Sequence, residues 1–567
     1  MAKTVSIGNQ SFEKLRTEDC FYIDKTYFIK EWWESKDEVT LITRPRRFGK
    51  TLNLNMIECF FSPKYEGRAD LFEGLSIWAD EAYRRLQGSY PVIFLSFAGI
   101  KYRDYDTARK AMNGLITNVY SLYRFILEDK GFDENERTEF ESISREMGDE
   151  TAGMSLNRLC FFLERYYGKK PLVLIDEYDT PMQEAWLNGY WDEITAYIRT
   201  LFNNTFKTNP SLGRGILTGI TRVSKESIFS DLNNLEVITV TSDKYATAFG
   251  FTEDEVFDAL DAQGFEPGEK EQVKKWYDGF TFGNVTDIYN PWSVTNYLDK
   301  GILDTYWVNT SGNGLISRLV REGEAELKVD FEDLLRGKQL AATIDEQIAF
   351  SQLGENEEAI WSLLIASGYL KVDHVDRFAD DRDAVFTFSI TNMEVKKMFR
   401  RMIAGWFRAS GSYNRFVKAM LKGDEYEMNV YMERVCRDTF SFFDTGKSPS
   451  RRKEPERIYH GFVLGLMADQ AWNYNIKSNR ESGFGRYDVV MEPKDPSHVA
   501  VIIEFKVFDE RRGEVSLSDT ADAALAQIED KEYEADMLAR GIPADRIYKY
   551  GFAFEGEICL IKKREQI

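Results

Sequence analysis

Apolar residues in this chain gather into short unbroken runs separated by longer segments of helical spacing, the pattern of an α/β protein. In the first half such runs occur at Val39–Thr43, 90–97, 172–175 and 213–222. Continuous apolar runs of this length suit strands buried on both faces of a parallel sheet. Leu52, Leu54, Met56 and Ile57 follow the first run at a spacing that suits one helix face, and 101–168 is charged and aromatic at helical spacing. Residues 229–240 are expected to lead out of the sheet. From about 250 the pattern changes. Phe251-Thr-Glu-Asp-Glu-Val predicts a helix opened by a capping box, and 276–283 and 289–293 predict aromatic turns between helices. Residues 360–371, 385–390 and 393–399 predict helix, strand and helix, a small winged-helix-like module that binds DNA, closes over a ligand or docks a partner. In the last third a helix over 456–467 precedes two apolar strands joined around Asp495-Pro-Ser497, then a helix over 521–537. The expected organisation is α/β throughout: a parallel-sheet core over 1–249, a helical and winged-helix-like region over 250–410, and a separate α/β domain over 411–567.

A length of 567 residues agrees with several domains. Lys+Arg 73 against Asp+Glu 94 gives a net charge of −21, so the chain as a whole is a poor non-specific DNA binder. Nucleic-acid contact would need a local basic surface or metal ions. Five cysteines stand far apart with no C-x-x-C spacing, and three histidines leave little for a zinc-histidine site or a histidine triad. No signal peptide or membrane-length apolar run is present, which predicts a cytoplasmic protein with no membrane partner.

The first apolar run feeds Arg44-Pro-Arg-Arg-Phe-Gly49-Lys50-Thr51, close to the phosphate loop G-x-x-x-x-G-K-[ST]. In such a loop backbone N–H groups and a helix N-terminus attract phosphate, lysine reaches the β/γ-phosphates and the hydroxyl binds Mg²⁺. Arg46, Arg47, Phe48, Gly49, Lys50, Thr51 and Leu52 are the candidate ATP-contacting residues. Arg44 stands where the motif has glycine. The competing reading is a basic turn between strand and helix.

A second anchor downstream decides in favour of a nucleotide site. Leu172 to Ile175 run straight into Asp176 and Glu177, delivering two acids to the C-terminal edge of a sheet. Asp176 is expected to hold Mg²⁺ and Glu177 to polarise the attacking water. Arg222, ending the next run, suits a γ-phosphate sensor or a structural ion pair. The aromatics among Phe21 to Ile29 either cover a base or seal the first strand.

Near the C-terminus, pairing about Pro496 sets 496 − 8 = 488 opposite 496 + 8 = 504, so Asp488 and Glu504 become cross-strand neighbours with Cβ atoms about 5 Å apart. Lys506 lies on the same face as Glu504. Two such carboxylates repel unless a cation separates them, and oxygen ligands choose Mg²⁺ or Mn²⁺. A hairpin in which Lys506 merely neutralises Glu504 is the alternative.

With Tyr22-Ile-Asp-Lys-Thr26, the Gly49-Lys50-Thr51 loop, Ile175-Asp-Glu-Tyr-Asp179, Trp276-Tyr-Asp-Gly279, Tyr289-Asn-Pro-Trp292 and Asp488…Glu504-Phe-Lys506, the chain resembles over nearly its full length a prokaryotic family. That family joins an AAA-ATPase-like P-loop domain to a C-terminal PD-(D/E)XK nuclease-like, restriction-endonuclease-like domain. The resemblance implies Asp488 and Glu504 as metal ligands, Lys506 as the residue orienting water, Gln527 as a helper on the following helix and Glu456 as an extra ligand. Related nucleases often carry Q-x-x-x-Y, whereas Lys531 stands four places after Gln527 here. The function so implied is an ATP-binding and hydrolysing protein coupled to metal-dependent phosphodiester cleavage, with DNA the favoured substrate. The alternative is a signalling or assembly ATPase whose nuclease-like domain only binds a partner or nucleic acid.

Overall fold

The structure is a computed structural model. It describes residues 3–564 apart from 130, 223–227, 230–231, 309–315, 317–318, 321–324, 346–356, 378–382, 409–412, 436–462, 464–466, 468–473, 483–484 and 556–557. The chain forms two compact units, Met1–Ile316 with Gln339–Lys396, and Ser317–Lys338 with Lys397–Ile567. The sequence-based boundaries at 249 and 410 fall inside these units.

Unit one is built on a five-stranded parallel sheet of β1 (Val39–Thr43), β2 (Val92–Ser96), β3 (Leu172–Asp176), β4 (Arg214–Gly219) and β5 (Leu235–Ile238) in the order β2-β3-β4-β1-β5. Every residue of β1, β3 and β4 is buried, which is why these strands read as unbroken apolar runs. One expectation is corrected here: Leu235–Ile238 does not lead out of the sheet but pairs in parallel with β1, Val39 opposite Leu235. It is an edge strand with only Ile238 fully buried, so its sequence lacks the continuous run of a central strand.

The aromatics of the N-terminal segment seal the sheet. Phe28, Ile29 and Trp32 join Ile42, Leu54, Phe60, Phe61, Leu172 and Leu174 in one core, with Tyr22, Tyr27 and Leu52 against its rim. The Tyr22-Ile-Asp-Lys-Thr26 motif is a fastening point. Asp24 accepts from the backbone and hydroxyl of Thr26 and from the Ser76 N–H, while Lys25 reaches the Thr247 carbonyl (2.8 Å) and Glu255 (2.7 Å). Glu255 also completes the expected capping box, accepting from the Thr252 N–H at 2.8 Å as the Thr252 hydroxyl caps Glu255 N.

Beyond the sheet stand the helices Glu253–Gln263, Pro267–Tyr277 and Pro291–Lys300. Between them lies a second correction. The segments read as aromatic turns, 276–283 and 289–293, hold β7 (Phe280–Phe282) and the end of β8 (Val285–Tyr289), which form a small antiparallel sheet with β6 (Phe251–Thr252), the pair of residues just ahead of the first helix. Strands of three and five residues, with Asp287 at φ 57°, are too short to show a period of two. Gly279, at φ 113°, lies so close to the Thr391 carbonyl that a Cβ would sit 2.1 Å from that oxygen. The winged-helix-like region comprises β9 (Leu340–Thr343), β10 (Leu370–Asp376) and β11 (Val385–Ile390), in the order β10-β11-β9, flanked by helices Glu357–Ala366 and Met393–Arg408. Neither β9 nor β10 was expected from the sequence; the helix expected over 360–371 ends at Ala366, and Leu370 and Lys371 open β10.

Unit two carries a mixed sheet of β12 (Tyr474–Ser482), β13 (Gly485–Pro493), β14 (Ala500–Val507), β15 (Ile547–Glu555) and β16 (Ile558–Lys563), in chain order. Only β14 and β15 are parallel, joined through the helix Leu517–Asp530. The β13–β14 ladder pairs Val489 with Ile503, Val490 with Ile502 and Met491 with Val501, a register centred on Pro496. Asp495 makes the turn, its carbonyl accepting from His498 N and its side chain from Ser497 N.

Candidate functional site

Two groups of side chains stand out, one in each unit. In the first, β1 delivers the loop 44–49, and Gly49 at φ 79° caps the helix Lys50–Phe61. Across the sheet edge, β3 ends in Asp176, and the chain turns through Glu177 at φ 54°, a left-handed conformation uncommon for a side chain of this size. Such strain is concentrated at functional sites.

Asp176 is fully buried and accepts three hydroxyl hydrogen bonds: Thr51 Oγ1 and Ser96 Oγ to Oδ2 at 2.7 and 3.2 Å, and Thr218 Oγ1 to Oδ1 at 2.8 Å. Burial, reinforced by the neighbouring Glu177 charge, raises its carboxyl above the ordinary range. Lys50 Nζ donates to the Arg44 and Pro45 carbonyls at 3.0 and 2.9 Å and stands 4.0 Å from Glu177 Oε1. Burial lowers the lysine's pKa against the pull of these acids. Burial pushes Glu177 the other way, but Lys50, the Thr180 hydroxyl, Arg46 and Lys101 outweigh it, so its carboxyl titrates below the ordinary range. Glu177 is thus held ionised beside a buried cation, while Thr51 and Asp176 form an oxygen pair. That donor set fits a hard divalent ion, and these two residues would hold Mg²⁺, which supplies charge neutralisation at the phosphates.

The rest of the loop divides its labour. Arg44 is wholly buried: Nη1 donates to the Thr43 carbonyl (2.9 Å) and the Thr239 carbonyl (2.6 Å), and the guanidinium lies 4.5 Å from the Phe282 ring centre. Burial pushes it down to about 9. The residue in the glycine position therefore ties the end of β1 to the segment after β5 and to β7. Phe48 is buried against Phe280 and Phe282. Arg46 Nη2 donates to Gln183 Oε1 at 3.2 Å, and Gln183 Nε2 continues to Asp179 Oδ2 at 3.0 Å. Asp179 also accepts from the backbone of Ile220 and Thr221, joining the loop after β3 to the end of β4. Arg222 lines a neighbouring cleft with Thr43, Thr239 and Ser362 rather than the Lys50–Asp176 group.

In unit two, Val490, Ala500 and Ile502 pack with Leu525, Ile528 and Tyr533 on one face of the sheet. Strand alternation puts Asp488, Glu504 and Lys506 on that same face. Glu504 is buried and accepts from Gln527 Nε2; Gln527 Oε1 accepts from Lys506 Nζ at 2.7 Å. Asp488 Oδ2 accepts from the Phe505 N–H at 2.9 Å, so its carboxylate reaches over the strand that carries Glu504. Gln527 Nε2 also donates to the Tyr533 hydroxyl at 3.3 Å. Burial, then the charges of Glu504 and Asp488, raise the pKa of that phenol. An all-oxygen pair beside a lysine fits a hard cation, which Asp488 and Glu504 would hold, supplying Lewis acidity to a water.

Known families match both halves. Residues 6–229 match the family described as predicted AAA-ATPase, and residues 454–564 match the PD-(D/E)XK nuclease superfamily. The chain joins an AAA-ATPase-like domain to a PD-(D/E)XK domain. It is also 27% identical over 559 residues, 95% of each chain, to an uncharacterized protein in the vnfD 5′ region of Azotobacter chroococcum mcd 1. No helix among the described residues is long and apolar enough to cross a membrane.

Sequence reasoning about the PD-(D/E)XK domain missed a partner for Gln527. Lys531, in the fourth place after Gln527, caps the end of the helix, and the chain then turns through Glu532 at φ 49°. That turn brings Tyr533, six places after Gln527, back to its amide. A left-handed residue beyond the helix end is invisible to a motif counted along a helix. Glu456 lies outside the described residues. In the AAA-ATPase-like domain the missed residues are Ser96, Thr180 and Gln183. Ser96 and Thr180 are hydroxyls at a strand end and a helix start, and Gln183 lies one turn into that helix; no motif marks any of them.

Proposed function

We propose that the protein binds and hydrolyses ATP at Lys50, Thr51, Asp176 and Glu177, and cleaves a phosphodiester, DNA in preference, at Asp488, Glu504 and Lys506 with a divalent metal. The observation that carries the first part is the contact between Thr51 and Asp176 beside a buried Lys50–Glu177 pair. Lys50 neutralises phosphate charge, and Glu177, ionised at neutral pH, accepts a proton from the attacking water as general base. Gly49 caps the helix Lys50–Phe61, whose first backbone N–H groups are free of helical acceptors and suit phosphate. Arg222, in the neighbouring cleft with Thr43 and Thr239, is given no step at the phosphates.

For the second part, the chain Lys506–Gln527–Glu504 supports cutting over mere binding. An amide bridging an ammonium and a carboxylate fixes both groups, so Lys506 is held where it can orient water rather than pairing directly with Glu504. Asp488 is anchored by the Phe505 N–H, which holds its carboxylate beside Glu504 for a shared cation. The proposed setting is cytoplasmic.

The test is plasmid DNA incubated with purified protein and Mg²⁺ or Mn²⁺, with and without ATP. Cleavage that depends on metal and disappears in Asp488→Ala supports the nuclease reading. ATP turnover without any cleavage of DNA or RNA replaces it with that of an ATPase whose nuclease-like domain serves as a binding module.

A further inference from the structure

The motif Tyr289-Asn-Pro-Trp292 has no place in the chemistry above, yet the structure sets it against the phosphate loop. Arg47 adopts φ 65°, the left-handed region, without being glycine. Its guanidinium lies 4.4 Å from the ring centre of Trp292. The carbonyl of Arg46, one residue earlier, accepts from Trp307 Nε1 at 2.9 Å and from Asn290 Nδ2 at 3.4 Å. The Arg46–Arg47 segment is thus gripped by three side chains from the region beyond the sheet.

These three are themselves fixed. Asn290 Oδ1 caps the helix Pro291–Lys300, accepting from Trp292 N at 2.9 Å and Ser293 N at 3.2 Å, which leaves its amide N–H to reach Arg46. Trp307 is buried, and its backbone N–H donates to Glu394 Oε1 at 2.6 Å. The other oxygen of Glu394 accepts from Ser293 Oγ at 2.8 Å. One buried carboxylate therefore spaces Trp307 from the turn that carries Asn290 and Trp292.

We propose that Asn290, Trp292 and Trp307 are positioning residues that hold the Arg46–Arg47 segment in its left-handed turn, so that the following N–H groups and Lys50 meet the phosphates of ATP. The inference rests on the ATP-binding reading given above and adds to it the device that shapes the loop. Arg44 fixes the start of the loop through the Thr43 and Thr239 carbonyls, and Asn290, Trp292 and Trp307 fix its middle from outside. Because the clamp sets loop shape before ATP arrives, it governs binding. The groups that accept the proton and neutralise the transition state are elsewhere.

The experiment compares the full-length protein with Trp307→Phe, which keeps an aromatic ring but loses the donor, and with Asn290→Ser, which keeps a helix cap but loses the amide. Trp292→Leu, at a half-buried position, is the third variant. Steady-state ATP turnover and thermal unfolding midpoints are measured for all four proteins. Each variant is expected to raise KM for ATP by about five- to tenfold, the worth of one hydrogen bond or cation–π contact, with kcat changed by less than about twofold. KM unchanged in variants that melt like the wild type overturns the clamp, and so does a loss confined to kcat. A wild type that neither binds nor turns over ATP overturns the ATP reading itself, and the clamp falls with it. If one variant does not fold, the remaining two decide by the same criterion.

Discussion

The hydroxyl of Thr51 donates to Oδ2 of Asp176 at 2.7 Å, joining the start of the loop helix to the end of β3. The strand β4 lies between β1 and β3, so the contact spans two strand spacings at the C-terminal edge of the sheet. Side chains meeting there from separate strands form the usual ligand position of an open α/β sheet.

From that geometry, Lys50→Ala is expected to abolish ATP binding, because it removes the only charge on the loop helix that faces Glu177. Glu177→Gln is expected to keep ATP binding while lowering turnover by about 10²–10⁴-fold, the range for loss of a general base. Binding titration and turnover on the same preparations separate the two effects. Equal ATP turnover in Lys50→Ala and wild type would remove the nucleotide assignment.

For the nuclease-like site, Asp488→Ala is expected to eliminate metal-dependent cleavage and leave ATP turnover intact. Tyr533→Phe removes only the hydroxyl that accepts from Gln527, so cleavage should fall by about three- to tenfold, the worth of one hydrogen bond. Supercoiled-to-nicked conversion at saturating Mg²⁺ measures both. If Tyr533→Phe cuts as well as wild type, Gln527 needs no support from that phenol.

Much of this was legible because buried strands and charged strand ends leave unmistakable patterns. Leu172 to Ile175 followed by Asp176 and Glu177 could hardly be anything but a central strand ending in acids, and the register about Pro496 followed from a turn flanked by two apolar runs. Elements with little burial were not legible. The strand β5 buries one residue fully, β7 spans three, and the return of Tyr533 depends on a left-handed Glu532. The role of Arg44 was hidden for another reason: its partners are carbonyls of Thr43 and Thr239, and backbone acceptors carry no sequence signal.

Arg44 yields a prediction against the motif. Arg44→Gly writes the full G-x-x-x-x-G-K-T pattern, and by motif alone it should improve the loop. In the structure it strips the Thr239 carbonyl of its guanidinium donor and opens a cavity beside Phe282. The expected result is a loss of about 2–4 kcal/mol in stability and weaker ATP binding. Thermal unfolding and ATP titration check it. A glycine variant as stable as wild type, binding ATP more tightly, would show that Arg44 is not structural.

Glu394 provides a test of the same region by pH. It is fully buried, and burial pushes its carboxyl from 4.5 up to about 7, against the opposing hydrogen bonds from Ser293 and the backbone of Trp307 and Val308. Tyr277 faces it and remains protonated throughout this range, since burial raises that phenol too. A carboxyl whose folded pKa is raised binds its proton more tightly in the native state than in the unfolded chain. Its contribution to stability is therefore fully present below pH 4.5 and lost as pH rises through 7, a swing of about 3 kcal/mol. Glu394→Gln keeps an acceptor for the Trp307 N–H, and the Ser293 hydroxyl can turn to accept from the new amide, so the fold should survive. Asp278, also raised to about 7 by burial, is unchanged by this substitution and cancels in the comparison. The melting temperature of Glu394→Gln relative to wild type should therefore climb from pH 4.5 and level off above about pH 7. A difference that stays constant across that interval would mean that Glu394 is ionised in the folded protein at every pH tested, and that the spacer between Trp307 and Ser293 carries a charge.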